Sequence, residues 1–484
     1  MNAHLFAPEL VLLAGCLLAF CMTMTESRTQ TLRLVVLCVG AAFAVASFAS
    51  LFAKGTLFYG AYKVDLFSQL VKCVMSAGFT LMLLFGADTK GISVRMRPEY
   101  YFFLLSSLLG LTLLSSSVEL ITLFIALELS SYSLYLLVPM RTPSDNMRAP
   151  MEAAIKYLLF GVTASGIMLF GMSWIFGIAG STYLEQILPA MRSALSHADS
   201  PHAFGAQAAA LVGLLMLFCG MFFKLAVFPF HFWAPDVYQG ASNDTTAFIA
   251  SMPKIVAVAV LARFCSLAFP GEGHIALLLT GLSIASMFYG NLTALVQTDV
   301  KRMLGFSGIA HAGYILMGMA TMQGWGIATS LYYATGYLFM MLTAFLVLCT
   351  VSPDGKNLTV TDLNGLSRRS PMLAFVLGVS MFALAGIPPF VGFMGKFLLL
   401  TGAWRAGHTA LVIIAAINTA IGIYYYLQVV RAAYTEAAPH NAEAIIPHAG
   451  ARMAGICLVG LLLALGIAPE SMIRLATEAV LAAW

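Results

Sequence analysis

The stretch FKLAVFPFHFWAPDVYQG, residues 223–240, decides the fold. It closes an apolar run that begins near Gln207, yet it carries Lys224 inside that run, then Pro229, His231 and Pro235. Proline removes a backbone hydrogen bond and clashes with the preceding turn, so it breaks a helix. At membrane depth a broken helix is tolerated only where it is buried or lines a cavity. LAGIPPFVGFMGKF, residues 384–397, repeats the theme, with Pro388 and Pro389 ahead of Gly392, Gly395 and Lys396. Leu225, Ala226 and Pro229 match Leu384, Ala385 and Pro388 at an offset of 159 residues. Interrupted helices at corresponding places in two halves point to the inverted repeats of transporters. A five-helix repeat, spans 4 to 8 and then 9 to 13, inverts because five is odd.

The rest of the chain must therefore read as membrane. Of 484 residues 60% are hydrophobic and 10% charged, against about 25% charged in soluble domains. With a mean hydropathy of +0.90, these values exclude an ordinary soluble enzyme. The net charge of +4 comes from scattered basic residues and excludes a nucleic-acid footprint. Eight cysteines, none in a C-x-x-C pair, read as small buried hydrophobes. Without clustered thiolates or a Gly-rich dinucleotide fingerprint, any redox cofactor is expected on another subunit.

A bilayer core takes about 20 apolar residues as helix. Runs of that length start near Leu5, Leu32, Val64, Tyr100, Val118, Met151, Gln207, Thr246, His274, Arg302, Ile327, Pro371, Leu411 and Met453. They predict an all-α polytopic membrane protein of about 14 transmembrane helices, in which helices 7 and 12 are broken. The first run lacks a basic start and a small-residue cleavage site, so it reads as an uncleaved span. The division is 1–98 for helices 1 to 3, 99–270 for the first repeat, 271–435 for the second, and 436–484 for helix 14. Of 20 Lys and Arg outside the apolar interiors, 14 fall in loops after odd-numbered spans: Arg28, Arg33, Lys90, Arg95, Arg97, Arg141, Arg148, Lys301, Arg302, Lys356, Arg368, Arg369, Arg431 and Arg452. Lys54, Lys63, Arg192, Arg263, Arg405 and Arg474 fall on the other face. Cytoplasmic loops carry the excess, so both termini are expected on the non-cytoplasmic side. Loops are short except at 176–206 and 435–451, which leaves no room for a soluble domain.

Lys72, Lys156, Lys224, Lys254 and Lys396 stand within apolar runs. A charge near the bilayer centre costs at least about 2.5 to 3.5 kcal/mol, so five of them call for a function. All are lysines, which can lose a proton when desolvated, whereas arginine effectively cannot. Glu128, in FIALELSSY, is the acidic partner in the middle of the fifth span; close to a lysine it stabilises the ammonium, and moved away it frees the proton. The bland counterpart is a fixed ion pair between helices. For Lys72 a simple tether is as good a reading, with Gln69 and Asp65 close to its helical face. Glu119 reads as interfacial. Lys254, in SMPKIV, and His311, in SGIAHAGY, are relay candidates between the two breaks; Ser307, Tyr314, Tyr333 and Tyr337 of spans 10 and 11 could support water wires, though helix packing is the commoner role of such residues. His231 ranks below them, because the break scrambles its facing.

ALELSSYSLY, AAIKYLLFG, KLAVFPFHFWAPDVYQGA, DVKRMLGFSGIAHAGYILMG and AGIPPFVGFMGKF together resemble the antiporter-like proton-channel subunits of respiratory complex I and their relatives in Mrp-type antiporters and membrane-bound hydrogenases. The resemblance spans most of the chain. It implies two inverted five-helix bundles, each a half-channel around one broken helix. Glu128 and Lys224 would be the first charge pair, Lys254 the connecting residue, Lys396 the terminal lysine and Lys156 a modulator. It implies further that the chain pumps protons without redox chemistry of its own, in a bacterial inner membrane beside sister subunits M, K, L, J, A and H. Flavin, iron–sulfur clusters and quinone would then sit in or at those partners. One departure stands out: Ser242–Thr246 and Pro253 precede Lys254 where the family has a different wording. The rival functions are an Mrp-type sodium/proton antiporter subunit, a hydrogenase membrane subunit, and a membrane scaffold whose lysines are structural.

Overall fold

In lipid every backbone polar group must be satisfied within the chain, and helices do this segment by segment. The computed structural model describes residues 3–25, 29–86, 91–141, 148–196, 203–266, 273–352, 354–436 and 443–483. Three helices come first, α1 (Ala7–Thr23), α2 (Thr29–Ala49) and α3 (Leu66–Phe85), with a hairpin of β1 (Gly55–Leu57) and β2 (Tyr62–Val64) before α3. The first bundle follows as α4 (Arg97–Ser116), α5 (Leu120–Leu137), α6 (Arg148–Ala179), α7 (Leu184–Ser196), α8 (Ala203–Leu225), α9 (Trp233–Gly240) and α10 (Asn243–Ser266). The second is α11 (Gly273–Ala294), α12 (Val300–Ala320), α13 (Gly324–Val351), the one-turn α14 (Leu366–Arg369), α15 (Pro371–Ala385), α16 (Val391–Arg405) and α17 (Thr409–Tyr434). Helices α18 (Ala449–Ile467) and α19 (Glu470–Ala483) end the chain.

Among the described residues 13 helices are long and apolar enough to cross a membrane, and the shorter α15 continues past its break as α16. Together they correspond to the fourteen expected spans. Besides the one-turn α14, two helices were not expected. Helix α7 lies in what reads as a long loop; it buries Ile187, Leu188 and Met191 and packs on α6 and α8. Helix α19 follows the last span and buries Ile473, Ala476 and Val480, packing against α3 and α13. Both have one apolar face and are too short to span, so a search for continuous apolar runs passes over them.

The two breaks share one backbone course. Helix α8 ends at Leu225, Ala226 turns left-handed (φ +60°), and a cis Phe228–Pro229 bond follows. Helix α15 ends at Ala385, Gly386 turns left-handed (φ +86°), and a cis Pro388–Pro389 bond follows. The breaks superpose Ala226 on Gly386, one residue from the 159-residue offset read in the sequence. For alanine the left-handed turn costs roughly 1–2 kcal/mol, a strain that only a firmly packed break sustains.

Elsewhere the bundles share several local features. Glu119 caps α5 by accepting from Thr122 N at 2.7 Å, and Asp299 caps α12 by accepting from Arg302 N at 2.8 Å. Beside each cap the chain pairs with the segment after the following helix or its extension: Leu120 N donates to Thr182 O (2.9 Å) and Val300 N to Leu358 O (2.9 Å). At the crossing of α4 with α5, a Cβ on Gly110 would stand 2.6 Å from Ser130 N; at α11 with α12, one on Gly290 would stand 2.5 Å from Ala310 N and 2.7 Å from Phe306 O. Backbone atoms cannot give way as a flexible side chain can. Gly290→Leu is therefore expected to prevent α11 and α12 from packing, read as loss of the monodisperse chain after detergent extraction; a wild-type yield would refute that crossing.

Helices α1 to α3 lie outside the repeats but are tied to them by buried charge. Lys72 Nζ is 2.9 Å from Glu9 Oε1, both side chains fully buried, and donates to Tyr62 Oη at 2.9 Å. Its tether is thus Glu9, from the first helix, and neither Asp65 nor Gln69. Asp65 instead takes two 3.0 Å bonds from Arg263, which is buried in α10 and is no loop cation. Burial opposes ionisation of Asp65, which stands just outside α3. The Arg263 guanidinium and the Ser68 bonds outweigh it and hold the carboxyl below its ordinary range. Five of the cysteines are buried as expected, but Cys21, Cys38 and Cys457 face outward from α1, α2 and α18. Arg28 and Lys90, used in the loop comparison, lie outside the described residues.

Candidate proton path

Glu128 sits at the middle of α5 and turns toward α6, where Ser165 Oγ donates to it at 2.5 Å. Lys224, two residues before the break of α8, is 2% exposed and has no hydrogen-bond partner among the described residues. The acid and the lysine are both buried in the first bundle, yet no ion pair joins them in this conformation. His231 lies buried within the break, its ring 4.2 Å from that of Tyr289 and its nitrogens without hydrogen-bond partners among the described residues. Lys156 is elsewhere. Its side chain is 39% exposed near the start of α6, 2.8 Å from Glu152 and 2.7 Å from Asp236 of α9.

Helix α10 is buried along its described length and continues through Pro253 without interruption, so the unusual wording before Lys254 leaves it a regular helix. It delivers Lys254 into the second bundle. Lys254 Nζ donates to Gly308 O at 3.2 Å and to Tyr337 Oη at 3.1 Å. A Cβ on Gly308 would stand 2.6 Å from that nitrogen, so glycine leaves room for the ammonium. From there a series of side chains crosses the bundle. The Tyr337 ring lies 5.0 Å from the imidazole of His311, whose Nδ1 is 2.6 Å from Tyr333 Oη and whose Nε2 is 3.0 Å from Tyr426 Oη. Tyr314 packs beside Tyr333, and Lys396 Nζ sits 4.9 Å from the Tyr314 ring centre. Lys396 itself donates to Leu384 O and Ala385 O, both at 3.1 Å. Those carbonyls are left unpaired at the end of α15 because the break removes their helical partners.

The structure thus brings Lys254, His311 and Lys396 onto one connected line and places Glu128 and Lys224 in the first bundle, with Lys156 apart from both. Two buried residues escaped the sequence. Tyr426, on α17 and against His311, was not singled out there. Lys301 reads as a loop cation but is 1% exposed, its Nζ 2.9 Å from Ala241 O. The signal for Lys301 was present, since Asp299 two residues earlier is a good N-cap and starts α12 before the lysine.

Chemically, the line holds groups that can exchange protons. Among the described residues no cluster of three or more His, Cys, Asp or Glu could hold a metal ion.

Comparison with known proteins points the same way. The family described as NADH:quinone oxidoreductase/Mrp antiporter, TM, matches residues 117–422. NADH-quinone oxidoreductase subunit N 2 of Opitutus terrae is 49% identical over 98% of this chain and 97% of that protein. The protein of the same name from Syntrophobacter fumaroxidans is 43% identical over 99% of both. A chain of respiratory complex I from Thermus thermophilus with bound aureothin superposes with a TM-score of 0.81 at 30% identity, covering 97% of this chain and 99% of that one. A chain of the Mrp complex from a Dietzia species superposes with a TM-score of 0.86 at 21% identity, over 99% and 97% of the two chains; that likeness is one of fold.

Proposed function

The chain belongs to the NADH:quinone oxidoreductase/Mrp antiporter transmembrane family, in its subunit N branch, and from that premise we propose how its buried residues move protons. It is the proton-translocating membrane subunit of an NADH:quinone oxidoreductase. Electron transfer runs through flavin, iron–sulfur clusters and quinone in or at partner subunits, and subunits M, K, L, J, A and H are its partners in the bilayer. The membrane is a bacterial inner membrane, with both termini on the non-cytoplasmic side, a reading supported by the excess of loop cations on the other face.

Glu128 and Lys224 serve the first half-channel. Lys254 passes charge across the middle through Tyr337 to His311, and Lys396 is the terminal proton carrier of the second. The observation that carries this reading is the line from Lys254 to Lys396, closed by hydrogen bonds and ring contacts through Tyr337, His311 and Tyr333. An ammonium in a low-dielectric interior persists only beside carboxylate, carbonyl or ring partners, so moving the partner moves the proton. Lys156, paired with Asp236, acts from outside this line. Working against the membrane costs about 2.3 kcal/mol per charge per 100 mV, within reach of breaking one such buried contact.

Lys396→Ala tests the assignment. In membrane vesicles, with assembly confirmed on a native gel, NADH-driven acidification is expected to fall well below wild type. An unchanged proton yield in the assembled variant would remove Lys396 from the path. Sodium-driven proton exchange without NADH would favour the antiporter reading instead.

A further inference from the structure

Helix α9, the eight residues beyond the first break, is gripped at both ends by cations. At its start, Asp236 Oδ2 takes Lys156 Nζ at 2.7 Å and Oδ1 takes Arg302 Nη1 at 2.6 Å, so each carboxylate oxygen holds a different helix. At its end, Arg141 Nη1 donates to Gln239 O (3.1 Å) and Gly240 O (3.3 Å), and the buried Lys301 donates to Ala241 O (2.9 Å). Those carbonyls form the negative end of a short helix, which cations stabilise. Neighbouring residues of α12, Lys301 and Arg302, therefore hold opposite ends of α9. Helix α12 also lies directly on it, since a Cβ at Gly305 would stand 3.1 Å from Pro235 Cα.

The two helices belong to different bundles and to different halves of the path. At the break, Trp233 Nε1 donates to Phe223 O at 2.9 Å, the residue just before Lys224. Helix α12 carries His311 nine residues beyond Arg302, about 14 Å along a rigid helix at 1.5 Å per residue. From the Lys224 break to the imidazole, a continuous series of contacts thus includes one short helix, one carboxylate and one guanidinium.

We propose that Arg302 is a positioning residue that ties α9 to α12 through Asp236, so that the first half-channel's broken helix and the second half-channel's histidine helix move as one body. The tie rests on the proton-path reading above and adds a consequence to it: the pair sets how many protons move per NADH oxidised. A clamp with a purely structural role would alter yield and rate but leave that ratio alone.

The experiment reconstitutes the whole complex, wild type or carrying Arg302→Gln, Arg302→Lys or Asp236→Asn, and measures protons translocated per NADH beside the oxidation rate and a native gel. Arg302→Gln and Asp236→Asn are expected to assemble and lose part of the ratio, while Arg302→Lys, which keeps a cation at the carboxylate, restores most of it. A wild-type ratio in Arg302→Gln, at whatever rate, overturns the tie, as does failure of both neutral variants to assemble. A wild-type complex that oxidises NADH without moving protons would instead overturn the proton-path reading itself.

Discussion

Lys224→Ala, in a complex that still assembles, is expected to lose quinone reduction and proton translocation together, each by more than about tenfold, equivalent to more than ~1.4 kcal/mol on the limiting step. Lys224 is 2% exposed at the end of a helix that stops one residue later, and it has no hydrogen-bond partner among the described residues. Alanine removes the ammonium and leaves Glu128 with Ser165 as its hydrogen-bond partner. A coupled pump cannot complete its electron step when a compulsory proton step is missing, so both activities fall. NADH oxidation and acidification measured in the same vesicles decide the matter. If both persist in the assembled variant, the buried lysines need a structural explanation; if only acidification falls, the coupling is looser than a shared compulsory step allows.

Lys72→Met is expected to be the most destabilising single change in the amino-terminal helices. It strands Glu9, fully buried and 2.9 Å from the lost ammonium, and removing one partner of a buried pair costs about 3–5 kcal/mol. The double variant Glu9→Gln with Lys72→Met removes both charges, and replacing a whole buried pair by neutral groups is often nearly free. The single variant should therefore lose most of its folded yield and the double should recover it, read by the thermal transition of the purified complex. If the double behaves like the single, the contribution of Lys72 lies in its bond to Tyr62 instead.

Much of this was legible in the linear sequence because lipid leaves few choices. Long apolar runs must be helices, and a proline pair inside one must be a break. The lysine beside each break could be named without coordinates. What was not legible depends on partners far apart in the chain. The acid facing Lys72 is Glu9, 63 residues away, and nothing local distinguishes it from Asp65, which is occupied by Arg263. Lys301 and Arg263 were assigned to loops because a charge near the end of an apolar run looks solvated, and the direction of a first-turn or last-turn side chain is set by neighbouring helices. The amphipathic α7 and α19 were passed over because five polar residues interrupt each of them and neither is long enough to span. The one-residue error in aligning the two breaks has a different cause: a proline recurs at both offsets, leucine and alanine recur only at 159, and the backbone turn alone fixes 160.

The crossing glycines match α5 to α12 at an offset of 180, which sets Glu128 of the first bundle opposite Gly308 of the second. Where one copy holds an acid the other holds a vacancy, and Lys254 of the first bundle fills it. The second chamber is thus walled by its own helices but furnished by its twin. The two halves are therefore not interchangeable: the second works around a lysine that only the first can supply.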